Sequence, residues 1–472
     1  MIARKTRKRR QKQAYIPTDL NPDQAAAVAQ LSIAIDRGDP VCRLLGYAGT
    51  GKSFATVRLL RTYAHERPVL LTAPTNKAAA VLRNMAAEIG GDVEATTIHK
   101  ALGLRPEVNV DKGQVFLKQV KRPEIKPHSL VLVDEASMID STLMGYITKG
   151  MREAHAQVLY VGDPAQLPPV FEAQSPAFTG AGVTCRLTQI VRQAQDHPIL
   201  AMTARIRAAM DGAEVPRFTT QRHDAGSLIL LEPADFETAM LASFRSRDYQ
   251  NDPDHCRVLA WTNQRTNAYN RIIRRALLGL NADQQSLLPG EIAVVCTPVL
   301  GRVNVGDFVQ VLEAKPVNHH GIPAYRAIVQ PDKGKALEVF TVRPEGYPAF
   351  KQKLSELVQT AQALQKRVGT LTQHEDQQRR AAWVEFFKFK DNEFCDLRPI
   401  HASTVHKSQG STYQQVFVDL TDIGRNTRRD VLLRLLYVAL TRAKGDVVVT
   451  GELPSRLYLD TSDTCADSPE YA

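Results

Sequence analysis

Long apolar runs are missing from this chain of 472 residues. None approaches the ~20 residues that a helix needs to cross a bilayer, and the N-terminal stretch lacks the apolar segment of a signal peptide. No membrane association is therefore expected. Cysteine is scarce and scattered, with six residues at 42, 185, 256, 296, 395 and 465 and no C-x-x-C pair. That pattern argues against a disulfide framework or a cysteine zinc site and points to a reducing cytosol. An excess of acid is missing too: 60 Lys and Arg against 50 Asp and Glu leave a net charge of +10. Such a balance suits a polyanionic partner. Part of the excess is local, in ARKTRKRRQK from Ala3 to Lys12, which reads as a basic disordered tail.

What is present is organised around GYAGTGKS, Gly46–Ser53. It fits G-x-x-x-x-G-K-[ST], the phosphate-binding loop. The apolar run PVCRLL precedes it as a buried strand, and FATVRLLRTYA follows with helical spacing. Small residues such as Gly49, Thr50 and Gly51 let backbone N–H groups close around phosphates at a helix N-terminus. Lys52 is expected to reach the β- and γ-phosphates, and the Ser53 hydroxyl to sit on Mg²⁺. The chain is thus expected to bind a nucleoside triphosphate with Mg²⁺.

The rest of the first half alternates strands and helices with polar residues at strand ends, the pattern of a doubly wound parallel sheet with its ligand at the carboxyl edge. LVLV leads into Asp134 and Glu135. Beside a phosphate loop, Asp134 is the candidate for holding Mg²⁺, directly or through water, and Glu135 the candidate for orienting or deprotonating the attacking water. GDPAQLPPV adds Asp163 and Gln166, the latter able to bond a γ-phosphate. Arg192 and Arg442 are by spacing alone ordinary surface residues, although an arginine on a transferring phosphate can raise the rate by roughly 10³–10⁵. VNVDKGQVFLKQV reads as a hairpin turning at Asp111-Lys112-Gly113.

The ordered series GYAGTGKS, TAPTNKAA, TTIHKAL, VDEASMID, GDPAQLPPV, LTQIVRQ, TVHKSQGST and YVALTRAK resembles the motif set of superfamily 1 helicases. With Gln24 in the upstream LNPDQ, the resemblance spans Asn21 to Lys444. The compact first half, TVHKSQGST near the end and a β-rich insertion before it are similar to the 5′→3′ branch of Dda-like and RecD-type proteins.

The resemblance implies an α/β fold of two RecA-like P-loop domains. A β-hairpin would be inserted in the first, and a small β-barrel with a helical arm in the second. Expected boundaries are a tail at 1–15, a first domain at 16–184 with its hairpin at about 103–128, and a second domain at 185–287 and 400–460. The insertion would occupy 288–399, and a second tail 461–472.

The resemblance further implies an ATP-dependent DNA helicase of 5′→3′ polarity acting in replication, recombination or repair. Its partners would be single-stranded and forked duplex DNA, with single-strand-binding or replication proteins beside them, and it would work as a monomer. Gln24 would read adenine. Gln166, Arg192, Gly410 and Arg442 would contact or sense the γ-phosphate across a cleft between the domains. Pro74, Thr75, Asn76, Thr97 and His99 would lie along single-stranded DNA on the first domain, and Thr262, Asn263, Thr404 and His406 on the second. Phe116 would stack on a base at the hairpin wedge, though an aromatic beside a hairpin serves a core as readily. The alternatives are a single-strand translocase that displaces proteins, and an ATP-gated nucleic-acid-binding subunit without robust unwinding.

Overall fold

The structure, a computed structural model, describes residues 19–109, 114–190, 197–279, 282, 285–297, 299, 303, 306–331, 334–365 and 373–458. The basic tail, the Asp111–Gly113 turn, Arg192 and the C-terminal tail lie outside the described residues. The chain divides into two compact units, Met1–Pro106 with Leu117–Gln195, and Glu107–Phe116 with Asp196–Ala472.

The first unit begins with α1 (Pro22–Arg37), β1 (Val41–Gly46), α2 (Lys52–Tyr63), β2 (Val69–Ala73) and α3 (Asn76–Ile89). It continues with β3 (Val93–Thr97), α4 (Ile98–Ala101), and the hairpin strands β4 (Leu104–Asn109) and β5 (Gln114–Gln119), which start and end in this unit while Glu107–Phe116 groups with the second. Then come β6 (Leu130–Val133), α5 (Ser141–Glu153), β7 (Gln157–Gly162) and β8 (Val183–Leu187). Six of these strands form one parallel sheet in the order β3-β2-β6-β7-β1-β8. Both faces are covered, so successive residues must all be apolar. Leu130 and Leu132 enter the core on one face, under α1, α2 and α3. Val131 and Val133 enter the other, under α5.

One boundary needs correction. Cys185 was expected to open the second domain, but β8 pairs in parallel with β1, Cys185 opposite Leu44, and closes the edge of the first sheet. Its apolar alternation resembles the start of a new β–α repeat, and only the long-range pairing shows which sheet it completes.

The second unit contains α6 (Pro198–Met210), β9 (Leu228–Leu231), α7 (Pro233–Phe244), α8 (Arg247–Asn251), β10 (Cys256–Ala260) and α9 (Asn263–Leu278). A β-rich insertion follows, with β11 (Ile292–Thr297), β12 (Phe308–His319), β13 (Ile322–Pro331), β14 (Leu337–Val342), α10 (Tyr347–Gln365), α11 (Gln373–Lys388) and β15 (Asp396–Pro399). The unit resumes with β16 (Ala402–Thr404), β17 (Tyr413–Asp419), α12 (Leu420–Gly424), α13 (Arg429–Thr441) and β18 (Ala443–Thr450). The parallel sheet is β16-β10-β17-β18-β9.

The inserted sheet is antiparallel, in the order β14-β13-β12-β11-β15. It curls until its outer strands meet: the Cys395 N–H donates to the Phe340 carbonyl at 2.7 Å, and the Thr341 hydroxyl donates to the Cys395 carbonyl. Val295, Val309, Val311, Val329 and Val339 fill its interior. Helices α10 and α11 form an arm whose Leu357, Val358 and Phe386 pack against Ile322 and Ala324. The entry to the insertion is fastened by a buried ion pair. Arg274 of α9 donates to both oxygens of Glu291, at 2.6 and 2.9 Å, and to the carbonyls of Ala282 and Gln285.

Candidate functional site

The phosphate loop leaves the carboxyl end of β1 and enters α2 through Gly51, which caps the helix at φ 75°. Gly46 must lack a side chain, because a Cβ there would lie 2.7 Å from the Thr50 hydroxyl and 3.1 Å from Leu187 Cβ. Thr50 is buried and its hydroxyl donates to the Tyr47 carbonyl at 2.8 Å, which holds the loop's curve. The Lys52 ammonium donates to the Gly46 and Tyr47 carbonyls at 2.7 and 2.9 Å, so it is folded into the loop it serves. Ser53, on the first turn of α2, is exposed.

Gln24 is buried, and both ends of its amide are used. Its oxygen accepts from the Asn21 N–H at 3.2 Å in a capping box that starts α1. Its nitrogen donates to the Thr50 carbonyl at 3.1 Å. In this structure Gln24 therefore buttresses the phosphate loop, a role the sequence did not signal.

Asp134 and Glu135 follow β6, two strands from β1 in the sheet. The Asp134 carboxylate accepts the Glu135 N–H at 2.9 Å. Burial, and then the adjacent Glu135 charge, push the Asp134 pKa up, with Lys52 opposing them. Glu135 holds a left-handed backbone, φ 50° and ψ 40°, which for a residue with a Cβ costs roughly 1–2 kcal/mol. Strain of this kind concentrates where a side chain must be aimed. After β7, Asp163 is buried and accepts the Ala165 N–H at 2.9 Å, and buried Gln166 follows on the same turn. The structure thus brings the loop, Asp134, Glu135 and Gln166 to the carboxyl edge of one sheet.

The polar residues expected along a nucleic-acid strand occupy the same edge. Thr75 caps α3 by accepting the Ala78 N–H, and Thr97 caps α4 by accepting the Lys100 N–H, each at 3.2 Å. Asn76 is exposed on the first turn of α3, and Pro74 is half-buried. The His99 ring bonds the Pro74 carbonyl, which links the two segments, and burial lowers its pKa. The backbone of Phe116 lies in β5; its side chain and the hairpin tip lie outside the described residues.

On the second unit, Thr262 caps α9 ahead of Asn263, accepting the Arg265 N–H at 3.1 Å. Asp422 fixes this turn: its carboxylate accepts from the Trp261 N–H, the Thr262 N–H and the Thr262 hydroxyl, all at 2.8 Å. Sequence reasoning missed Asp422, whose only signal was a carboxylate just after the apolar run of β17. Thr404 ends β16, and its hydroxyl accepts the Lys407 N–H at 3.4 Å. His406 is half-buried, with its pKa lowered by burial, and Gly410 has φ 71°. Arg442 is 5% exposed and donates to the carbonyls of Val438 and Ser411 and to the Thr441 hydroxyl, each at 3.1 Å.

A cradle of small residues, a lysine at its helix and a half-buried carboxylate whose charge is disfavoured by its surroundings are the donor set that Mg²⁺-nucleotide fits. Comparison with known proteins agrees. A family described as an AAA domain matches residues 19–223, and one described as a UvrD-like helicase C-terminal domain matches 399–450. The ATP-dependent DNA helicase dda of Enterobacteria phage T4 is 24% identical over 466 residues, covering 91% of this chain and 98% of that protein. The RecBCD enzyme subunit RecD of Mycolicibacterium smegmatis is 26% identical over 448 residues, covering 90% and 70%. The ATP-dependent RecD2 DNA helicase of Deinococcus radiodurans is 37% identical over 185 residues, 38% of this chain and 23% of that one. Among solved structures, the Pif1 helicase from Candida albicans superposes with a TM-score of 0.47 at 17% identity, covering 94% of this chain and 96% of that one. Over nearly its whole length the chain is thus similar to ATP-dependent DNA helicases of the Dda and RecD type, with an AAA domain in its first half and a UvrD-like helicase C-terminal domain near its end.

Proposed function

We propose that this ATP-dependent DNA helicase translocates 5′→3′ on single-stranded DNA and opens forked duplex with the β4–β5 hairpin as its wedge. The observation that carries the ATPase half is the convergence of Lys52, Asp134 and Glu135 on one sheet edge, with Glu135 held in a strained backbone. Lys52 exchanges the Gly46 and Tyr47 carbonyls for phosphate oxygens when ATP binds. Ser53 and Asp134 would hold Mg²⁺, which supplies charge neutralisation across the phosphates. Glu135 orients the attacking water and accepts its proton, a contribution of roughly 10²–10⁴ in rate. Arg442 serves as a γ-phosphate sensor by giving up its internal carbonyls, and Gln166 and Arg192 act with it. Gln24 reads adenine by turning its amide away from Thr50.

The DNA strand would run over Pro74, Thr75, Asn76, Thr97 and His99 on one unit, and Thr262, Asn263, Thr404 and His406 on the other. Hydroxyls, amides and exposed N–H groups at helix starts suit phosphate and sugar, which carry no sequence information. Phe116 stacks on the base at the fork. Unwinding of two partial duplexes by the purified chain tests the proposal, one with a 5′ tail and one with a 3′ tail. Opening of the 5′-tailed substrate is expected, and preference for the 3′ tail would overturn the polarity.

A further inference from the structure

The turn between β12 and β13 consists of His320 and Gly321, both left-handed at φ 54° and 79°. Two-residue turns of this form favour Asn-Gly or Gly-Gly, since a left-handed residue with a larger side chain is strained. The histidine there sends its ring to a specific partner. His320 Nε2 lies 3.1 Å from Glu393 Oε2, and His319 Nε2 lies 3.2 Å from the same oxygen. The His319 ring is fixed by face-to-face stacking on Phe340, with centroids 3.8 Å apart and planes 3° from parallel.

Glu393 comes from the other side of the insertion. It is the last residue of a π-helical turn, Phe389–Glu393, that follows α11. Such turns are rare and are found disproportionately at functional sites. Two uncommon local geometries thus meet at one cluster. One ligand atom from each of the three residues lies within 4.8 Å of the others. Around a tetrahedral cation with bonds of about 2.0–2.1 Å, ligand atoms stand about 3.3 Å apart, so the two contacts to Glu393 are already near that spacing.

We propose that His319, His320 and Glu393 form a three-ligand site for a zinc-class divalent cation, with water in the fourth position, that clamps the base of the arm to the β12–β13 turn. Two imidazoles and one carboxylate select borderline cations such as Zn²⁺ over Mg²⁺ and Ca²⁺, which prefer all-oxygen shells. Each ligating Nε2 must be free of its proton, so binding moves that proton to Nδ1 or releases it, and affinity falls with acidity. The cation would span residues 73 and 74 positions apart in the chain, and so stiffen the arm relative to the barrel.

The test uses the full-length chain, tag removed and metal-depleted, titrated with Co²⁺ as a spectroscopic probe and then with Zn²⁺. One Co²⁺ per chain should give the visible absorption of a four-coordinate site, Zn²⁺ should displace it, and Zn²⁺ should raise the thermal unfolding temperature. His320→Asn, which keeps a residue tolerant of the left-handed turn, and Glu393→Gln should each abolish the band and the thermal shift. Single-strand-stimulated ATPase should stay at the wild-type level in both variants, confirming that they are folded. No band in the wild type with excess Co²⁺, or an unchanged band in both variants, would overturn the site and leave the cluster as a hydrogen-bonded ion pair.

Discussion

In the first unit β2 and β3 lead into Thr75 and Thr97, and in the second β10 and β16 lead into Thr262 and Thr404, each hydroxyl accepting an N–H of the turn that follows. The two parallel sheets thus present the same polar edge, but their charges are arranged differently. On the first, two carboxylates stand side by side, one strained and one with a raised pKa, and a lysine rests on carbonyls. On the second, the charges are already matched. Asp422 takes three donors, and Asp419 takes Arg265 at 2.6 Å and Tyr269 at 2.8 Å. A carboxyl edge is generic; unmatched charge marks where a ligand must complete it, and matched charge marks a platform.

That contrast can be broken most sharply at Lys52. Lys52→Ala should lower ATP turnover by roughly 10²–10³ while single-strand affinity holds, because it removes charge stabilisation of the transferring phosphate. Turnover measured beside fluorescence anisotropy on labelled single strands checks this. On the matched side, loss should appear as stability. Arg274→Met leaves Glu291 buried without its cation and should destabilise the second unit by about 3–5 kcal/mol, read by denaturant unfolding.

Asp422→Asn should cost about 1–3 kcal/mol and weaken single-strand binding through the Thr262 turn, with the phosphate loop untouched. A variant that lost turnover but kept its fold and DNA affinity would blur the comparison.

His401 gives the second unit an acid limit. Burial, then the charges of Arg257 and Arg274, lower its pKa from 6.5 to about 3, and its Nδ1 lies 2.7 Å from the Tyr249 hydroxyl. A depressed folded pKa means stability that is complete above the unfolded value and is lost as pH falls from about 6.5 toward 3, by up to ~1.4 kcal/mol per unit. Unfolding followed from pH 7 to pH 4 should show a shallower decline in His401→Gln. The smallest effects belong to the caps: Thr75→Ala or Thr97→Ala should cost about 1 kcal/mol each and weaken single-strand binding modestly.

Much of this site was legible because its motifs are local. GYAGTGKS, VDEASMID and GDPAQLPPV each place chemistry within a few residues of a strand end, where the 3.6- and 2-residue periodicities announce the element. What stayed hidden depends on pairs far apart in the chain. Gln24 meets Thr50 across 26 residues, Asp422 meets Thr262 across 160, and β8 joins β1 only through sheet pairing. Backbone strain at Glu135 is likewise invisible to residue type, because a glutamate does not ordinarily signal a left-handed turn.

The most direct test of the central claim is DNA-stimulated ATP hydrolysis by Glu135→Gln, measured together with its single-strand affinity and its unwinding of a 5′-tailed fork. The account predicts turnover reduced by roughly 10²–10⁴ and no unwinding, with DNA affinity retained. Wild-type turnover in that variant, or loss of DNA binding along with turnover, would contradict it.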